Sequence, residues 1–101
     1  MVVTRPFPVT NYDFLLDCDP VSVGTTYVIT RSAGRVIQEA WYNTATTKLM
    51  KVINYTRSGG LLTVEEVQVY AADGVTVVAQ NTTTYHRSMG LVIGATTTRD
   101  V

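Results

Sequence analysis

From residue 24 to the end of the chain, apolar and polar positions alternate, imperfectly, with the two-residue period of a β-strand. No window there holds the i, i+3, i+4, i+7 spacing of an amphipathic helix, and a short helix is conceivable only around 12–18. In 61–70, Leu62, Val64, Glu66, Gln68 and Tyr70 share one face, and Leu61, Thr63, Glu65, Val67 and Val69 the other. In 75–86, Val75, Val77, Ala79 and Tyr85 lie opposite Thr76, Val78, Gln80, Thr82 and Thr84. Neither face is cleanly polar, whereas a sheet with one solvated face alternates more sharply. Mixed faces imply that both sides of the sheet meet something, in places another subunit.

An internal repeat divides the alternating region. Thr30-Arg31-Ser32-Ala33-Gly34-Arg35-Val36, Thr56-Arg57-Ser58-Gly59-Gly60-Leu61-Leu62 and His86-Arg87-Ser88-Met89-Gly90-Leu91-Val92 share Arg-Ser-x-Gly before an apolar pair or near-pair. Tyr27, Tyr55 and Tyr85 precede them, and the arginines recur after 26 and then 30 residues. A period of that size means one supersecondary unit per repeat. Glycine supplies the positive φ of a tight hairpin and serine bonds the turn backbone, so each motif reads as a hairpin tip. Return turns are expected at 43–47 and at Ala71-Ala72-Asp73-Gly74. Those five turns leave six strands, at 24–31, 35–42, 48–57, 61–70, 75–86 and 91–99. The expected fold is all-β, an antiparallel up-and-down meander of long strands over 23–101, preceded by an extended arm over 1–22.

The arm differs in kind. Pro6, Pro8 and Pro20 forbid regular pairing, yet the segment carries Phe7, Val9, Tyr12, Phe14, Leu15 and Leu16. Such a segment either folds back over one end of its own sheet or reaches across to a neighbouring chain. Phe7, Val9, Tyr12, Phe14 and Leu15 are therefore interface candidates. So are Trp41 and Tyr42, whose rings point to opposite sides of a strand, one toward the core and the other to an interface.

Composition sharpens the picture. The 101 residues suit one domain, with sixteen Val, seventeen Thr and six Tyr, which fit a pleated surface. Charged residues are 16% against 46% hydrophobic, well below the roughly 25% charge usual in soluble domains. Part of so poorly charged a surface is expected to be covered by a partner. Eight basic and eight acidic side chains cancel and form no basic run, which disfavours nucleic-acid and membrane-surface binding. The one cysteine, Cys18, cannot form a disulfide within the chain and reads as a small buried hydrophobe. Arg5, Pro6 and Pro8 break the N-terminal apolar stretch, so a cleaved secretory signal is not expected.

Catalytic machinery is not evident. The one histidine, His86, sits beside a tip with Ser88 nearby but no acid close in sequence to orient a triad. Glu65 and Glu66 are adjacent and point to opposite faces. Asp13, Asp17 and Asp19 lack the glycine and terminal glutamate of a calcium loop and read as turn or capping residues. Ser58-Gly59-Gly60 lacks the Lys-Ser/Thr of a phosphate loop. Neither an enzyme nor a cofactor or metal site is expected. Trp41 with Gln38, Glu39 and Asn43 keeps a sugar-stacking platform open as an alternative.

Tyr-x-x-Thr-Arg-Ser-x-Gly-Arg-Val, the Asp73-Gly74 turn and the closing Thr98-Arg99-Asp100-Val101 resemble small β-rich proteins in the structural modules of tailed bacteriophages and prophages. The repeat is similar, more distantly, to the YD repeats of Rhs-type shells. It departs from them in lacking the aspartate soon after the tyrosine and in having three units, too few to enclose a cargo. The resemblance covers roughly residues 25–101. It implies a virion structural protein, made in the host cytoplasm, that attaches to capsid or tail subunits as a homo-oligomer. A capsid decoration or head/tail accessory role comes first, with a carbohydrate- or receptor-binding module on the tail as the alternative.

Overall fold

The computed structural model describes residues 15, 16, 18–20 and 24–101. Six strands follow one another: β1 (Thr25–Ser32), β2 (Arg35–Asn43), β3 (Leu49–Ser58), β4 (Leu61–Tyr70), β5 (Val77–Ser88) and β6 (Leu91–Arg99). They form one sheet in the order β1-β2-β3-β4-β5-β6, every neighbour antiparallel. The chain is thus the expected all-β up-and-down meander.

The three repeats are three copies of one hairpin. At each tip both central residues take positive φ: Ala33 52° and Gly34 78°, Gly59 58° and Gly60 83°, Met89 53° and Gly90 82°. That pair of conformations is the two-residue hairpin turn whose twist matches the strands. The glycine after x was expected to supply the positive φ, but Ala33 and Met89 adopt it as well, at a cost of roughly 1–2 kcal/mol each. Behind each tip the register slips at the same place, between Thr30 and Arg31, Thr56 and Arg57, and His86 and Arg87. The extra residue sits on the second strand, as Ile37, Thr63 and Ile93. A bulge beside the tip adds twist and re-aims the flanking arginine.

The return turns are built from side chains. Asn43 Oδ1 accepts from the amides of Ala45 at 3.0 Å and Thr46 at 3.1 Å. Asp73 Oδ1 accepts from Val75 and Thr76 at 2.8 and 2.9 Å, and its Oδ2 from the Thr76 hydroxyl at 2.6 Å. The Thr76 hydroxyl first, and the two amides after it, hold the Asp73 carboxyl at about 2. The turn is therefore longer than a two-residue Asp-Gly hairpin, and β5 starts at Val77 rather than at 75. Gly74 has φ 74°, and a Cβ there would lie 2.8 Å from the Cβ of Lys48, so the two return turns touch.

One cross-strand row organises the interior: Tyr27, Trp41, Lys51, Val69 and Ala79 lie in register across β1 to β5. The last four are buried, Val69 and Ala79 completely. What is described of the arm lies on this row. Leu16 packs with Val69 and Ala79, with Leu15, Val67 and Val78 at the margin. The Lys51 ammonium, 1% exposed as a residue, donates to the Cys18 carbonyl at 3.1 Å and to Asp19 Oδ1 at 3.0 Å, and stands 5.5 Å from the Trp41 ring centre. Burying a charge is costly unless it is paired and hydrogen-bonded. Here the arm's backbone and carboxylate supply both.

The opposite face explains the imperfect alternation. Gln38 donates to Asn54 at 2.8 Å, Asn54 to Glu66 at 3.2 Å, Gln68 to Gln80 at 3.1 Å, and Gln80 to Glu66 and Asp100 at 3.3 Å each. A half-buried polar network runs over β2 to β5 and satisfies itself. Among the described residues, one mixed face meets arm residues of the same chain and the other carries its own amide network.

Two stability changes follow. Leu16→Ala is expected to lower the unfolding free energy by about 2–3 kcal/mol in denaturant titration, the lower part of the range for buried leucines because a trace of Leu16 is exposed. Met89→Gly is expected to raise it by about 0.5–1 kcal/mol, the relief of left-handed strain less the entropy of the added glycine.

Candidate functional site

The repeated residues do more than turn the chain. Arg57, on β3, sends Nε to the Val36 carbonyl of the preceding hairpin at 3.2 Å and Nη1 to its own tip carbonyl at Gly60, 3.5 Å. Arg87, on β5, repeats this: Nε and Nη2 reach the Leu62 carbonyl at 3.1 and 2.8 Å, and Nη1 reaches Gly90 at 3.0 Å. Val36 and Leu62 are equivalent, each two residues past the tip glycine. Every seam between hairpins is thus bridged by a guanidinium where the backbone ladder has ended.

A second bridge lies on the arm face. The hydroxyls of Tyr27 and Tyr55 donate to the two carboxylate oxygens of Glu39, reaching it from β1 and β3. Tyr85 donates to Glu65 Oε2 at 2.8 Å from β5. Each pair is diagonal across neighbouring strands, within reach of a long aromatic side chain. The hydrogen bond to Glu39, with burial a lesser cause, pushes the Tyr27 phenol from 10.0 to about 12. Burial foremost, and Glu39 next, push Tyr55 up. The bond to Glu65 raises Tyr85, and burial raises Tyr70.

Among the described residues, much of the exposed apolar surface lies on the two edge strands. All nine residues of β6 are exposed, with Leu91 at 71% and Ile93 at 69%, and the neighbouring Met89 is at 99%. On β1, Tyr27, Val28 and Ile29 are exposed. Neither strand contains Lys or Pro, the usual means of blunting an edge.

The interface candidates divide accordingly. Phe7, Val9, Tyr12 and Phe14 lie outside the described residues. Leu15 is half-buried beside the core and lines an open hollow of about 380 Å³ with Lys48, Leu49, Met50 and Tyr70. Of the Trp41/Tyr42 pair, Trp41 is the ring turned to the core: it is 3% exposed, with the Tyr27 ring 4.9 Å away and Lys51 beside it. Tyr42 is half-buried opposite Thr26. Trp41 offers no open stacking face. Gln38 bonds Asn54 on the other side of the sheet, Glu39 holds two phenols, and Asn43 caps a turn. His86 Nε2 is 2.8 Å from the Thr96 hydroxyl, and Glu65 and Glu66 serve separate networks on opposite faces. Among the described residues, no three His, Cys, Asp or Glu side chains group to hold a metal.

Leu91, Val92, Ile93, Val28 and Ile29 are not among the interface candidates named from the sequence, although edge strands without lysine or proline already point to pairing with another chain. Sequence reading also took the repeated arginines as turn residues, although each sits just past the register shift and Arg57 and Arg87 reach sideways to the preceding hairpin. Nothing matches this chain in comparisons with protein-family models, curated proteins and solved structures.

The phenols give a test of the seams. A phenol whose pKa is raised by folding adds stability that is complete below about 10 and is lost as pH climbs toward about 12, because the unfolded chain ionises first. Alkaline unfolding is therefore expected in that window. Glu39→Gln should bring Tyr27 back toward 10 in a phenolate absorbance titration; an unchanged titration would show that Glu39 does not hold it.

Proposed function

We propose that this protein works by protein–protein contact, as a structural component of a tailed-phage virion, in the role of capsid decoration or head/tail accessory protein. The observation that carries the contact role is β6: nine consecutive exposed residues, apolar at its start and bare of lysine and proline. Such an edge is a ready template for another chain, and an exposed apolar patch marks an interaction site. The low charge content supports the same reading. The virion assignment draws on the resemblance of the Arg-Ser-x-Gly repeat and the closing Thr-Arg-Asp-Val to phage structural proteins. Its partners are other virion proteins and copies of itself. It takes no cofactor, and a net charge of zero offers no pull on a phosphate backbone.

Particles purified after induction of the phage or prophage that encodes the chain are expected to carry it at fixed copy number, by immunogold labelling and peptide mass spectrometry. Recovery solely in the particle-free fraction would overturn the virion assignment.

A further inference from the structure

The two seams inside the chain obey one rule. At the β2–β3 seam the ladder ends with Gln38 opposite Asn54; at the β4–β5 seam it ends with Val64 opposite Thr84. Counted from the repeat, both are the residue two past Val36 or Leu62 facing the residue three before Arg57 or Arg87. Beyond each ladder end the arginine takes the Val36 or Leu62 carbonyl.

The series is open at both sides. Arg31 holds on β1 the place of Arg57 and Arg87, behind the same bulge and tip. It is exposed, and no strand lies beyond β1 among the described residues. Val92 holds on β6 the place of Val36 and Leu62, and it is half exposed. With six strands in alternating order, β6 runs antiparallel to β1, so one more step of the same kind keeps orientation and brings all tips to the same end.

We infer that a second copy of the chain docks its β1 edge on β6 and continues the sheet in the register of the internal seams. Gly94 faces the second copy's Val28, Ala95 its Tyr27 and Thr96 its Thr26, and the second copy's Arg31 takes the Val92 carbonyl. The side chains are matched for this. Both internal seams pair a tyrosine two residues before the arginine with a glutamate three residues past Val36 or Leu62. At the outer seam these places hold Ile29 and Ala95, so the phenol and the carboxylate are replaced together by apolar residues. A glutamate facing Ile29 would be buried without its donor, whereas Ala95 leaves nothing unpaired. The contact is head-to-tail, so it closes into a ring or extends as a filament according to the twist per copy.

This deepens the contact role by naming the partner, and it is tested on purified protein alone, apart from any virion. In a Cys18→Ser background, a Gly94→Cys protein mixed with a Val28→Cys protein is expected to give a disulfide dimer in several-fold greater yield than Gly94→Cys mixed with Thr30→Cys. The site tolerates the thiol, since nothing lies within 4 Å of a Cβ built on Gly94. Sedimentation velocity should show concentration-dependent oligomers, weakened roughly tenfold or more by Arg31→Ala. A monodisperse monomer, equal yield at the offset position, or efficient pairing of Gly94→Cys with itself would overturn the inference.

Discussion

A two-stranded hairpin is barely stable alone in water, and three of them make a domain only if the seams between them hold. Here each seam is a backbone ladder extended at its tip end by an arginine whose guanidinium joins the carbonyl of its own tip to one in the hairpin before it. The bond starts from a charged donor and is partly shielded, the setting in which hydrogen bonds are strong. It also fixes position. A slip of one residue would take the arginine from its carbonyl and turn Glu39 and Glu65 away from their tyrosines. Register between hairpins is therefore specified twice, once at the tips and once on the arm face.

With the seams closed, the two faces need little else. Leu15 and Leu16 cover the apolar row through Val69 and Ala79, and the amides of Gln38, Asn54, Gln68 and Gln80 bond one another on the other side. The surface left to explain is lateral: the outer backbone and apolar side chains of β1 and β6. Among the described residues, the exposed backbone of the sheet is that of its two edge strands.

Most of the fold was legible because turn chemistry and strand period agreed. The Arg-Ser-x-Gly tips marked three hairpins, and the strands lie within about two residues of their expected positions, the usual margin for element ends. The main shift, at the start of β5, came from Asp73, whose side chain builds a wider turn than an Asp-Gly pair alone suggests. The faces were harder to read. Leu62 to Tyr70 mix apolar and polar residues on both sides, and an alternation pattern cannot distinguish a subunit contact from an amide network that satisfies itself. The fate of Trp41 depended on Lys51 and Tyr27, which are its neighbours across strands and not along the chain. The lateral use of Arg57 and Arg87 depended on the bulge, which leaves no mark in the alternation.

Lys51 carries one more consequence. The chain has two lysines, Lys48 at an exposed turn and Lys51 beneath residues 18–20. An amine-directed acylating reagent meets the first at once and the second only when the arm lifts. The ratio of the two modification rates therefore measures how often that segment opens, with the control three residues away in the same molecule.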